Sequence, residues 1–386
     1  MIRHPLLIIF LLVAIEVLVL SLSRNGRTRH WFAFLPAVFW IYFLPMLAST
    51  AGLIDAKAPV LSSITAYLLP ASLLLLLVVV DLRAIVRLGG MALAMFFIGS
   101  AGIMAGTVIS FVLFKNAVGP EFWAGFGALS ASWTGGSANM IAVKEALAVP
   151  ERVFAPMVIV DTVVPYVWMA MLIAYVGAQG IFDRWNGSNR AVLDDLARSA
   201  AVQQAAVRLT PGGSAAVLVF AAVGSLLARD LGARLPVVKD VVSPYAWTII
   251  LVSLFGLLLS LTPVRRLEQA GATKIGYALL YFVLTAIGAR ASIADINAAF
   301  ILIVAGAVII VVHVLFLLAG ARLLRAPLFL VAAASQANVG GVASAPVAVA
   351  VYEPGLASVG LLLAILGNIV GTYLGILCAQ CCRFFS

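Results

Sequence analysis

Apolar runs of membrane-crossing length recur along this chain, separated by short polar turns. The first is Pro5 to Leu22, followed by Trp31–Leu53, Val60–Val80, Gly89–Phe114, Phe122–Leu147 and Phe154–Val176. Each is near the roughly 20 residues a crossing helix needs. Gly177 to Gly212 is the one extended polar stretch. Within it Ala191 to Leu209 sets Asp194, Asp195, Arg198 and Arg208 among alanines and leucines, the pattern of an amphipathic surface helix. Apolar runs resume at Gly213–Ala228, Tyr245–Leu261, Ile275–Ile287, Ile296–Ala319, Pro327–Val351 and Leu356–Cys378. Gly213–Ala228 is short for a span, so it is re-entrant, interfacial or paired with another crossing. Eleven full spans are expected.

Composition agrees with the pattern. With 64% hydrophobic and 10% charged residues, no water-soluble fold could hide the apolar surface. The chain is a polytopic, all-α membrane protein in contact with lipid. Its net charge of +9 reflects Lys and Arg gathered in cytoplasmic loops rather than a nucleic-acid partner. Arg24, Arg27 and Arg29 follow the first run and resist translocation, so it is a retained helix rather than a cleaved signal. Cys378, Cys381 and Cys382 crowd the C-terminus and offer no disulfide framework.

Loop charge sets an expected topology. Arg24, Arg27, Arg29, Arg83, Arg87, Arg152, Arg265, Arg266, Lys274, Arg322, Arg325 and Arg383 are placed inside. Arg3, Lys57, Lys115 and Arg290 are placed outside. This locates the protein in a bacterial cytoplasmic (inner) membrane with the C-terminus in the cytoplasm. The same parity makes the halves inverted. Residues 1–30 are an N-terminal helix and basic loop, 31–178 the first five-helix repeat, 179–243 a connecting region and 244–386 the second repeat.

Two short stretches interrupt the apolar runs at matching places. Ser130–Asn139 reads Ser-Ala-Ser-Trp-Thr-Gly-Gly-Ser-Ala-Asn, and Ser335–Ser344 reads Ser-Gln-Ala-Asn-Val-Gly-Gly-Val-Ala-Ser. With the glycine pairs superposed, Asn139 falls on Ser344. Irregular backbone at this depth is tolerated only inside protein or beside a wet cavity. Paired interruptions in two halves mark the discontinuous helices of a secondary transporter, meeting at a central site. Weaker echoes keep the same order. Asp81-Leu-Arg-Ala-Ile resembles Gly288-Ala-Arg-Ala-Ser-Ile, and Asp161-Thr-Val-Val-Pro-Tyr resembles Asn368-Ile-Val-Gly-Thr-Tyr.

With Ser132–Asn139 and Ser335–Gly341 in view, the chain resembles the YjcL-type membrane family, whose domain has no assigned function. More distantly it is similar to the bile acid–sodium and glutamate–sodium symporters. That resemblance implies a panel domain, a core domain with crossed broken helices, elevator-like or rocking transport, and room for a homodimer. It names no substrate.

The residue chemistry fits such a site. Gly135, Gly136, Gly340 and Gly341 permit unusual backbone and close packing. Ser132, Thr134, Ser137, Asn139, Ser335, Gln336, Asn338 and Ser344 offer neutral oxygens and donors for an ion or a solute carboxylate. Tight packing of small residues is the plain alternative. Asp161 stands inside a span, at an insertion cost of roughly 3 kcal/mol. It is followed by Thr162, and it is expected to help bind a coupling cation or to exchange a proton. A carboxylate satisfied by a neighbouring helix would explain it as well. Asn368 and Thr372 are its neutral counterparts. Sodium is placed near Asp161 and Asn338, and Na+ or H+ is the coupling ion; no other cofactor is expected. Glu16 is read as a packing or dimer contact, Lys144 and Glu145 as a local ion pair or snorkelling groups, and His313 as a hydrogen-bonded packing residue.

Enzyme readings lack their motifs: no His-Glu-x-x-His, no facing pair of acids and no phosphate loop. The chain is therefore expected to be a cation-coupled carrier of a small, anionic organic solute. A channel or signalling protein is the alternative.

Overall fold

The computed structural model describes residues 2–25, 27–28, 32, 37–189, 191–192, 210–237, 243–291, 299–353 and 356–386. Among them the regular elements are helices. In chain order the first four are α1 (Pro5–Arg24), α2 (Ala37–Thr50), α3 (Pro59–Val78) and α4 (Gly89–Val118). Then come α5 (Trp123–Gly135), α6 (Ser137–Ala146), α7 (Glu151–Ala174) and α8 (Gln179–Asn186). After the polar stretch follow α9 (Pro211–Arg234), α10 (Pro244–Ser260), α11 (Ala272–Arg290) and α12 (Ala299–Leu324). The last three are α13 (Leu328–Val339), α14 (Gly341–Tyr352) and α15 (Ala357–Phe384). The amphipathic helix expected at 191–209 lies outside the described residues, apart from 191–192.

Among the described residues eight helices are long and apolar enough to cross a membrane, nine if the bent pair Pro244–Ser260 and Pro263–Ala270 counts as one span. Eleven were expected. Two of the expected spans, Phe122–Leu147 and Pro327–Val351, are each two short helices; the expected span Trp31–Leu53 is described at 32 and from residue 37 on, where it forms α2. The run at Gly213–Ala228 needs the opposite correction. It belongs to α9, 24 residues and long enough to cross. Thr210 caps its start by accepting from the Gly213 amide. The Asp230–Arg234 pair, one turn apart at 2.7 Å, carries the helix on through its charged end.

The chain forms two compact units, each drawing segments from both halves. The first holds Met1–Val80, Glu145–Thr162 and Ala205–Phe300. Its central helix is α3, packed against α9, α10 and α11. Glycines let the backbones close up: Gly224, Gly256 and Gly276 lie on Leu74, Leu77 and Leu75–Leu76, and Gly288 lies on the Tyr42 carbonyl. Small residues at such contacts are how helices pack tightly in lipid. Glu16 is buried on α1. Arg290 reaches Glu145 (3.8 Å) and Glu151 (3.4 Å). Arg152, expected inside, therefore adjoins a residue paired with Arg290, expected outside.

The second unit holds Asp81–Lys144, Val163–Gln204 and Ile301–Ser386. Helices α4 and α12 run antiparallel: Gly99 faces His313, Gly106 faces Ile309, and Ser110 donates to the Ala305 carbonyl at 2.8 Å. Helices α5 and α15 are antiparallel too, with Gly127 on Ala379, Ala131 on Gly375, and Gly135 on Gly367. The Lys115 ammonium donates to the Phe385 carbonyl, so Lys115 and the C-terminus share one end of this unit. Arg383 was expected on the side opposite Lys115 and is not. Lys144 is buried, which rules out the snorkelling alternative.

Candidate functional site

Helices α13 and α14 form a hairpin, not a span. Gln179 and Asp183 lie one turn apart on α8. Gln179 donates to the Glu353 carboxylate at the end of α14 (3.1 Å), and Asp183 accepts from the Leu328 amide at the start of α13 (2.9 Å). A continuous helix over these residues would hold its ends about 37 Å apart. Asn186 extends the same face, donating to the Ala321 and Ala326 carbonyls at 3.1 and 2.9 Å. The entering arm is thus pinned firmly. The returning arm is tied by Gln179 and by the Tyr352 hydroxyl, which donates to the Leu172 carbonyl at 2.5 Å. Gln179→Ala combined with Tyr352→Phe should raise amide hydrogen exchange across 341–352 about tenfold. Exchange across 328–339 should stay unchanged. Equal change in both arms would contradict the asymmetry.

Helices α5 and α6 turn back as well. Continued straight, the register of α5 on α15 would carry residue 139 toward Gly367 or Leu363. Instead Asn139 meets Thr372, whose hydroxyl donates to its amide oxygen at 2.5 Å. Hairpin α5–α6 starts where α4 ends, and hairpin α13–α14 starts where α12 ends. Since α4 and α12 are antiparallel, the hairpins enter this unit from opposite ends. The discontinuous segments were expected to cross; they double back because each glycine pair makes a turn rather than a kink.

The tips meet. A Cβ built on Gly341 would lie 3.8 Å from the Gly136 Cα. The second glycine of each pair takes a positive φ, +86° at Gly136 and +65° at Gly341, a region where side chains are costly. The first glycine serves packing. A Cβ on Gly135 would strike the Gly367 carbonyl, and one on Gly340 would strike Gln336 and Ser344. The freed carbonyls are capped alike: Asn139 donates to the Gly135 oxygen at 2.6 Å, and Ser344 to the Gly340 oxygen at 2.7 Å. Asn139 and Ser344 are the pair matched by superposing the motifs.

The predicted residues divide around these tips. Ser137, Ser344 and Asn368 are half-buried, with Asn368 Oδ1 about the Gly136 turn at 3.5 Å from a built Cβ. Ser132, Thr134, Asn139, Ser335, Gln336, Asn338 and Thr372 are buried. Asn338 is spent on structure. Its amide lies 2.9 Å from the Ser100 hydroxyl, and with its nitrogen toward the Phe96 and Ala334 carbonyls every atom is satisfied. That is no vacant sodium ligand. Ser335 is also committed. His313 Nδ1 must donate to the Gly99 carbonyl (2.8 Å), so Nε2 accepts from Ser335 at 2.9 Å, while Ser335 accepts from Trp168 Nε1 at 2.8 Å. This chain ties α4, α7, α12 and α13 together and makes His313 a packing residue. Asp161 and Thr162 fall in the first unit. Asp161 is half-buried, and the buried Thr162 hydroxyl bonds the Val158 carbonyl of its own helix at 2.8 Å.

Gln179, Asp183 and Asn186 were missed by sequence reasoning. Their i, i+4, i+7 spacing just past an apolar run was the available signal. Ser100 and Trp168 carried none.

A Bacillus subtilis (strain 168) protein described as "Uncharacterized membrane protein YjcL" is 28% identical over 116 residues. That match covers 30% of this chain and 29% of the relative's length. The family model described as "Protein of unknown function (DUF819)" matches residues 8–385. The chain is an integral membrane protein belonging to the DUF819 family.

Proposed function

We propose that this protein is a secondary active transporter that exposes the meeting point of two re-entrant tips alternately to either side of a bacterial inner membrane. One observation carries the reading: two glycine turns, entering the second unit from opposite ends, touch at Gly136 and Gly341. Helix breaks at membrane depth need enclosure by protein or a wet cavity, and in secondary transporters they form the substrate and ion sites. The half-buried Ser137 and Asn368 provide hydroxyl and amide groups for a small, anionic organic solute.

The arrangement supports an inverted repeat of six segments rather than five: α1, α2, α3, α4, hairpin, α7, then α9, α10, α11, α12, hairpin, α15. The second repeat then starts at Pro211. With the end holding Arg83, Arg87, Arg184, Arg322 and Arg325 in the cytoplasm, the C-terminus lies outside, reversing the expected side. Cys381, exposed near that terminus, tests this. It should react with a membrane-impermeant maleimide in intact cells, and protection until the membrane is opened would reverse the orientation.

Uptake into liposomes, run over a solute panel with and without a sodium or proton gradient, tests the function. A gradient-driven solute is expected. Turnover of a substrate without any gradient would replace this reading by an enzymatic one. Asp161→Asn should cut ion-driven uptake at least tenfold, because an acid inside a span is retained at a cost. Undiminished sodium or proton dependence would remove Asp161 from the coupling machinery.

A further inference from the structure

Two buried oxygens at the tips have no hydrogen-bond partner among the described residues: Gln336 Oε1 and Thr134 Oγ1. Ser344 commits its hydroxyl hydrogen to the Gly340 carbonyl at 2.7 Å, so it can only accept from Gln336 Nε2, at 2.9 Å. Gln336 Oε1 is therefore the atom left over. The carboxamide lies over Gly340, where any Cβ would strike it, so the leftover oxygen belongs to the tip. Gln336 is 1% exposed and Thr134 0%.

Thr134 is unusual in its own way. The buried hydroxyls of Thr65, Thr107 and Thr162 bond back to the carbonyl four residues earlier. Thr134, one residue before its glycine pair, does not. Buried acceptors without donors are rare, and oxygens with so little exposed surface do not face an organic solute. Residues 130–139 and 335–344 contain no titratable side chain. Neutral oxygens of this kind suit a hard monovalent metal cation rather than a proton.

We propose that Gln336 Oε1 and Thr134 Oγ1 are ligands of a sodium ion bound at the hairpin tips. This deepens the transport reading and moves the coupling ion away from Asn338. The solute then uses the half-buried Ser137 and Asn368 beside it.

The experiment is thermal unfolding of the purified full chain in detergent, in sodium, potassium or choline chloride at equal ionic strength. Sodium should raise the midpoint by about 5 °C over choline. Gln336→Leu and Thr134→Val should each abolish the rise. Gln336→Glu, which keeps the oxygen and adds charge, should lower the sodium concentration for half-maximal effect several-fold. That variant carries the test if Gln336→Leu does not fold. An unfolding midpoint indifferent to ion identity would mean a buried water at the tips and overturn the assignment. So would a sodium response unchanged in all three variants. A protein that binds sodium this way but drives no solute uptake would sink the transport reading and leave the ion site standing.

Discussion

Gly135→Ala and Gly367→Ala should each lower the thermal midpoint by about 5 °C and reduce solute uptake below a tenth of the native rate. The reason is contact between two backbones. A Cβ on Gly135 collides with the Gly367 carbonyl, and one on Gly367 collides with the Thr134 carbonyl. A carbonyl in a helix cannot swing aside as a long side chain can, so the helices must part. Overpacking of this sort costs about 1–3 kcal/mol, and it would displace the tip that carries the proposed site. Gly136→Ala tests a different cause. Space remains there, with 3.5 Å to Asn368 Oδ1, but φ is +86°, so the cost is backbone strain of roughly 1–2 kcal/mol. Gly212→Ala meets nothing within 4 Å and should change neither quantity. Unfolding of all four within 1 °C of the native protein would mean that α5 and α15 are not in backbone contact.

Asn139→Ala should be the most damaging change that adds no bulk. The side chain is a bridge: its nitrogen caps the Gly135 carbonyl at 2.6 Å and its oxygen receives Thr372 at 2.5 Å. Both partners are buried, and each group left unpaired costs about 1–3 kcal/mol. Together that is about 2–6 kcal/mol, enough to loosen the first hairpin from α15. Ser344→Ala removes the matching cap of the second hairpin, but Ser344 is half-exposed, so water can take its place. A loss near 1 kcal/mol is expected there. A double-mutant cycle of Asn139→Ala with Thr372→Val should show a coupling of at least about 1 kcal/mol. Additive effects would mean that the 2.5 Å bond contributes nothing.

Much of this site could be read directly from residue order. Superposing two Gly-Gly pairs matched Asn139 with Ser344, and these do the same work at the two turns. The resemblance of Asp161–Tyr166 to Asn368–Tyr373 also pointed to corresponding helices, one packed on each hairpin: Trp168 of α7 meets Ser335, and Thr372 of α15 meets Asn139. What misled was parity. A broken apolar run reads as a crossing, and each hairpin counted as a span reverses the parity of every loop after it, which is how Lys115 and Arg383, at one end of their unit, were expected on opposite sides. Gly213–Ala228 looked short because Arg229 and Asp230 appeared to end it, whereas Asp230 pairs with Arg234 on the same helix.

Composition and periodicity alone determined that the chain lies in a membrane, because apolar surface has nowhere else to go. They also determined where its helices break, because glycine pairs among hydroxyl and amide side chains are costly in lipid unless enclosed. Whether a break passes through or turns back was decided only in three dimensions, by bonds between distant residues such as Gln179 with Glu353 and Asp183 with Leu328. The same holds for which polar groups are satisfied. Asn338 and Gln336 are two residues apart and chemically alike. Tertiary contacts with Ser100 satisfy one and leave an oxygen of the other bare, because hydrogen-bond partners in lipid must be found within the protein.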